Sequence, residues 1–281
     1  MKILITGSNG MLAKAVINKF KDNNELLLTD VEELDITNKD AVITYVEKNR
    51  PNIIINCAAY TAVDNAESNL ELAEKINAIG PRNLAIACNK FDITLVHIST
   101  DYVFKGDLDI NLDYKETDET GPVTAYGITK LHGENEVQSN CSKYYIFRTA
   151  WLYGEGKNFV KTMIKLGNEK ETVNVVSDQH GSPTYTEDLA SIIYQALNKK
   201  IEYGIYHATN QGFTTWYEFT KTIFSISNIN CNVNPVSSEE FVTVAKRPKN
   251  SMLSKDKLIA NGIIIPTYED ALKRYLQIEL K

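Results

Sequence analysis

The segment from Lys2 to Asp30 leaves this chain fewer folds than any other. Lys2-Ile3-Leu4-Ile5-Thr6 is a short apolar run that leads into Gly7-Ser8-Asn9-Gly10-Met11-Leu12-Ala13, so a strand, a glycine turn and a helix start follow in order. Glycines at 7 and 10 let the backbone turn tightly and come close to a pyrophosphate. Ala13 stands where such turns usually carry a last glycine, and its smallness suffices for close packing of helix on strand. The helix N-terminus then faces the phosphates. A second strand, Leu26-Leu27-Leu28-Thr29-Asp30, ends in a carboxylate twenty residues past Gly10. Asp30 is placed to accept hydrogen bonds from an adenosine ribose, although a loop acid or helix cap would look the same. It would repel a 2′-phosphate, and Val31-Glu32-Glu33-Leu34 offers no cation to offset it. NADH is therefore expected over NADPH.

The rest of the chain repeats the alternation. A helix is expected near Lys39 to Lys48, a strand at Asn52–Cys57, a helix from about Asn69 to Lys90, and strands at Ile93–Ser99 and Tyr144–Arg148. The connections have room for crossover helices, which predicts an α/β fold, a doubly wound parallel, Rossmann-like sheet. Beyond about Trp151 the rhythm changes: a strand at Val173–Val176 and helices at Glu187–Leu197 and Thr215–Ile226, with no second glycine turn. Residues 1–150 read as the NAD(P)-binding domain, joined by a returning segment about 184–210. Residues 151–281 read mainly as a smaller substrate-binding lobe.

Charge and cysteines narrow the function classes. A net charge of −6 gives no general reason to bind nucleic acid or an anionic membrane. The apolar stretch after Lys2 is too short for a signal peptide or membrane span, so a cytoplasmic protein is expected. Cys57, Cys88, Cys141 and Cys231 are scattered, without the spacing of a metal site, and read as reduced thiols.

Two further groups carry chemistry. Tyr126 and Lys130 are four residues apart, which on a helix puts both on one face. An ammonium beside a phenol stabilises the phenolate, so the pair could protonate a carbonyl oxygen. Ser99-Thr100-Asp101-Tyr102 stands at the carboxyl end of a predicted strand, where ligands collect in open sheets. Glycine turn, strand-end Ser-Thr and Tyr-x-x-x-Lys in that order resemble the extended short-chain dehydrogenase/reductase superfamily. Leu34–Thr37, Asn56–Glu67, Ser99–Phe104, Arg148–Gly154, Asp178–Thr184 and Arg247–Ser251 narrow the resemblance to the dTDP-4-dehydrorhamnose reductases.

That resemblance implies reduction of the 4-keto group of dTDP-4-dehydro-L-rhamnose to dTDP-L-rhamnose by NADH or NADPH, with no metal needed for the chemistry. It implies a catalytic set of Thr100, Tyr126 and Lys130, with Tyr126 as proton donor and Lys130 also on the nicotinamide ribose. Gly7, Gly10, Met11 and Leu12 would line the pyrophosphate, Asp30 the ribose, Asp35 and Ile36 the adenine, and Ala59, Tyr60 and Thr61 the cofactor's middle. Thr100, Asp101, Tyr126 and Trp151 would meet the sugar, and Arg247 the diphosphate. Ile36 and Leu12 could equally be core, Asp35 a cap, Trp151 core, and Arg247 half of a surface ion pair. Dehydratases of the superfamily carry Thr-Asp-Glu where this chain has Thr100-Asp101-Tyr102, which removes their base. Epimerases keep the Tyr-Lys pair but consume no net NADH. A non-catalytic homologue, like the regulatory β subunit of methionine adenosyltransferase, would bind nucleotide alone. A homodimer is possible; some reductases of this family pair through magnesium, but Lys14 and Ala15 cannot be ligands on the first helix, although Glu187 and Asp188 are present.

Overall fold

Six parallel strands form the centre of the computed structural model, which describes residues 1–279. In chain order they are β1 (Lys2–Thr6), β2 (Glu25–Thr29), β3 (Ile53–Asn56), β4 (Thr94–Thr100), β5 (Tyr144–Thr149) and, after a strand β6 (Thr172–Val176) outside this sheet, β7 (Gly204–His207). Their spatial order is β7-β5-β4-β3-β1-β2, all parallel. The winding direction reverses between β1 and β3, and ligands bind outside the carboxyl ends of strands at such a switch point.

The near-continuous apolar runs of β1 and β3 follow from burial on both faces. Ile3 and Ile5 point to one side, where α1 (Met11–Phe20) and a later helix, Thr186–Lys199, supply Val16, Phe20, Leu189, Ile192 and Ile193. Leu4 points to the other. There α2 (Lys39–Asn49), α3 (Gly80–Phe91) and α4 (Ala125–Asn140) supply Val42, Val46, Leu84, Cys88 and Val137. The helix expected from Asn69 to Lys90 is interrupted: Leu70–Glu74 is α-helical, Lys75–Ile79 makes a π turn, and α3 follows. An extra residue per turn rotates Asn77 inwards, a distortion that hydrophobic spacing does not reveal.

After β5 the chain makes α5 (Phe159–Glu169) and β6, returns through α6 (Thr186–Lys199) and β7, then leaves again as α7 (Trp216–Ser227), β8 (Asn232–Val236) and α8 (Tyr268–Glu279). α5, β7, β8 and α8 had no counterpart in the sequence pattern. The outlying elements have their own core, in which Tyr153, Val160, Phe219, Ile223, Leu272 and Tyr275 pack together, and β6 pairs with β8 in parallel. No helix among the described residues is long and apolar enough to cross a membrane.

Candidate active site

A trench runs over the carboxyl ends of β1, β3, β4 and β5. Its first section, about 270 Å³, is lined by Gly7, Gly10, Asp30, Asp35, Ile36 and Ala59. Gly7 sits at φ +62°, and a Cβ there would lie 2.7 Å from the Ala58 Cα, so only glycine lets the turn nest against the end of β3. α1 begins at Gly10 with no side-chain cap and no acid in its first turn, whereas Thr124 caps α4 and Thr215 caps α7. Its first N–H groups are left for an anion, and a dinucleotide pyrophosphate fits this cradle. The Asp30 carboxylate is held at the rim by the backbone N–H groups of Asn9 (3.1 Å) and Val31 (2.8 Å).

Asp35 takes the Thr37 hydroxyl and N–H, while Asn38, not Asp35, caps α2. Ile36 serves twice, packing into the core against Gly80 while lining the trench. The Tyr60 ring packs against Ala66, Ala73 and Ala125, while the flanking Ala59 and Thr61 line the trench. Its backbone is clasped from both sides by the buried Asn77, which accepts from Tyr60 N–H at 2.8 Å and donates to Tyr60 C=O at 3.1 Å and Thr129 Oγ1 at 3.1 Å. Asn77 thus ties the loop bearing Ala59 and Thr61 to α4.

The middle section, about 400 Å³, brings Gly10, Met11, Leu12, Ala59 and Thr61 together with Thr100, Asp101, Tyr126, Lys130 and Trp151. α4 lies close because Gly127 has no side chain: a Cβ there would collide with the Tyr102 carbonyl. Thr100 Oγ1 donates to Asp101 Oδ1 (2.9 Å). Burial pushes the Asp101 carboxyl up to about 6. Lys130 was expected to make the Tyr126 phenol more acidic, but burial dominates and the net shift is upward. Its ammonium donates to the Ile98 carbonyl at 2.5 Å, and desolvation raises the phenol's pKa well above its ordinary value, with the Thr100 hydroxyl acting in the opposite sense. Burial lowers Lys130 to about 8, opposed by Glu134. The phenol is therefore held protonated beside a lysine that is largely cationic at neutral pH.

The third section, about 330 Å³, is lined by Tyr102, Trp151, Trp216, Gln179, Phe241 and Arg247 among others. Trp151 has φ +47°, an uncommon state for a bulky residue and one that clusters at functional sites. Trp216 stacks on it with centroids 3.6 Å apart, and Gly181 leaves the space its ring occupies. Arg247 Nη2 donates to Asp64 at 2.6 Å and Nη1 to the Tyr102 hydroxyl at 3.2 Å. It is thus both an ion-pair partner and a wall of the pocket. Sequence reasoning missed Asn77, Trp216, Phe241 and Asp64 as parts of the site. Trp216 opens a helix after two threonines, and nothing in that spacing marks a stacking partner for a residue so far away in the chain. Asp188, considered as an acid for a bridging metal, is taken by Arg274 and Asn210, both at 2.7 Å.

Doubly wound sheet, glycine cradle and a Tyr-Lys pair facing a strand-end threonine define an oxidoreductase of the extended short-chain dehydrogenase/reductase class. A family model described as the RmlD substrate binding domain matches residues 1–280. The dTDP-4-dehydrorhamnose reductase of Aggregatibacter actinomycetemcomitans is 40% identical, covering 97% of each chain. The crystal structure of a dTDP-4-dehydrorhamnose reductase from Clostridium acetobutylicum matches with a TM-score of 0.97 at 47% identity, covering 100% of both chains. That of the Bacillus anthracis reductase in complex with NADP matches at 0.94 and 45% identity over 99% of each. The chain belongs to the RmlD family, the dTDP-4-dehydrorhamnose reductases.

Proposed function

We propose that this chain reduces the 4-keto group of dTDP-4-dehydro-L-rhamnose to give dTDP-L-rhamnose. The observation that carries the reading is the convergence of Thr100, Tyr126 and Lys130 in one section of the trench, between the glycine cradle and the aromatic pocket. A bound NAD(P)H supplies the hydride. As negative charge builds on the sugar O4, hydrogen bonds from Thr100 and Tyr126 stabilise it, and Tyr126 gives up its proton. The raised pKa of Tyr126 suits this direction, because a donor must hold its proton until the oxyanion forms. Lys130 stabilises the phenolate left behind and holds the nicotinamide ribose.

Gly7, Gly10, Met11 and Leu12 hold the pyrophosphate in this reading. Asp30 takes the ribose, Asp35 and Ile36 the adenine, and Ala59, Thr61 and the Tyr60 backbone the middle of the cofactor. NADH is preferred, since the Asp30 carboxylate repels a 2′-phosphate. Asp101 and Trp151 hold the sugar, and Arg247 leaves Asp64 for the diphosphate. Residues 1–150 with the return at about 184–210 form the cofactor half, and most of 151–281 the substrate half. The enzyme works in the cytoplasm, and a homodimer, if it forms, needs no bridging metal and persists in EDTA.

The test is a panel of dTDP- and UDP-linked 4-ketosugars assayed by NADH and NADPH oxidation. Stoichiometric NADH consumption with the dTDP-linked sugar is expected. Turnover without net NADH consumption would make the chain an epimerase, and nucleotide binding without turnover a non-catalytic homologue. Asp30→Asn should move the cofactor ratio towards NADPH by about tenfold, the size of one lost charge repulsion near the surface.

A further inference from the structure

Tyr126, Lys130 and Glu134 follow one another at four-residue intervals, so α4 presents all three along one face. Glu134 is fully buried, and a carboxylate almost never is unless it is paired. Its partner is Arg148 on β5, itself 3% exposed: Nε donates to Oε1 at 2.9 Å and Nη2 to Oε2 at 2.7 Å. Oε1 also accepts from Ser99 Oγ on β4 at 2.5 Å, and Ser99 is the register neighbour of Arg148. The pair therefore grips β4 at the residue between Ile98, whose carbonyl holds Lys130, and Thr100.

We infer that Glu134, locked to Arg148, is a positioning residue that holds Tyr126 and Lys130 against Thr100 and supplies the counter-charge for Lys130. Three neighbouring strand residues are held from one helix face: Ile98 by Lys130, Ser99 by Glu134, and Thr100 beside Tyr126. Lys130 shares its section of the trench with Tyr126 and Asp101, and its charge is coupled to Glu134 on its own helix, to Cys57 after β3 and to His97 on β4. Burial pushes the Cys57 thiol up to about 12 and keeps the His97 imidazole neutral, so neither adds charge at neutral pH. Glu134 is the anion that favours the ammonium there. The bidentate fork fixes the carboxylate in orientation as well as in charge.

The test uses Glu134→Gln, Glu134→Asp and the neutral pair Glu134→Gln/Arg148→Gln, which leaves no charge unpaired. Lys130 is titrated in the free protein by NMR of its ¹⁵N-labelled Nζ, assigned with Lys130→Met. Glu134→Gln is expected to lower the Lys130 midpoint by about one pH unit and to cut ketosugar turnover at pH 8 about fivefold with KM little changed. Glu134→Asp keeps the charge and should return the midpoint while lowering turnover at every pH. If Glu134→Gln does not fold, the double variant is read instead; it removes the Arg148 cation together with the anion, so a fall in turnover rather than a midpoint shift is expected of it, and turnover at the parent's level overturns the positioning role. A folded Glu134→Gln with an unmoved midpoint overturns the inference. Only the turnover arm rests on the proposed reduction: wild-type protein inactive on ketosugars would sink that reading and leave the titration to decide this one.

Discussion

The two ends of the trench are built by different means. At the end proposed for the cofactor Gly7, Gly10, Met11 and Leu12 lie within one turn and offer backbone N–H groups. At the end proposed for the sugar Tyr102, Trp151, Trp216, Phe241 and Arg247 come from four separate segments and present side chains. A backbone cradle is written in adjacent residues because dihedral angles make it. A side-chain pocket is assembled by packing, so its members can stand anywhere in the chain. Between them, Tyr126 and Lys130 are local to each other yet depend on β4 for what they face.

The contrast can be broken at the centre first. Tyr126→Phe should lower turnover by about 10² to 10⁴ while NADH affinity stays near that of the parent, because it removes an acid and leaves both ends intact. Single-turnover rates and NADH fluorescence titration check this, and an unimpaired rate would remove Tyr126 from the role of donor. At the cofactor end a single methyl should suffice. Gly7→Ala forces a strained φ and a clash with Ala58, and is expected to weaken NADH binding by tenfold or more and to lower thermal stability.

The sugar end should yield more gradually, because several side chains share the contact. Trp216→Ala removes the stack that holds Trp151, with KM for the ketosugar expected to rise about tenfold and NADH affinity unchanged. Equal losses in both affinities would mean that the halves are not separable. The smallest effect is a pH dependence. Asp101 titrates at about 6 in the folded protein against 3.8 unfolded, so its contribution to stability is full below about pH 4 and lost as pH rises through 6. Asp101→Asn should therefore gain a few degrees in Tm on the parent between pH 4.5 and pH 7. A difference in Tm that is flat with pH would contradict the buried carboxylate.

The sheet and its glycine turn were legible in the sequence for a physical reason. Glycine at a left-handed turn, apolar runs in strands buried on both sides, and an acid at the end of β2 are local demands, and local demands leave local marks. The Tyr126–Lys130 spacing belongs with them. Its electrostatics do not: spacing places the ammonium near the phenol, but the Ile98 carbonyl takes the ammonium and burial sets the acidity of the phenol. The setting of Tyr60 was hidden for a related reason, since Asn77, rotated inwards by a π turn, holds its backbone from seventeen residues away and its ring packs against Ala66, Ala73 and Ala125.

By itself, then, the sequence determined the doubly wound sheet, the cofactor cradle, the Tyr-Lys pair and, through Tyr102 in place of a dehydratase's Glu, the direction of the chemistry. Tertiary structure alone decided that Trp216 backs Trp151, that Asp64 holds Arg247, and that Glu134 and Arg148 pin the catalytic helix to β4. Periodicity and dihedral preference act over a few residues and can be read along the chain. Contacts between separate segments, here from 14 to 183 residues apart, depend on the whole packed arrangement, and no pattern in either segment alone encodes them.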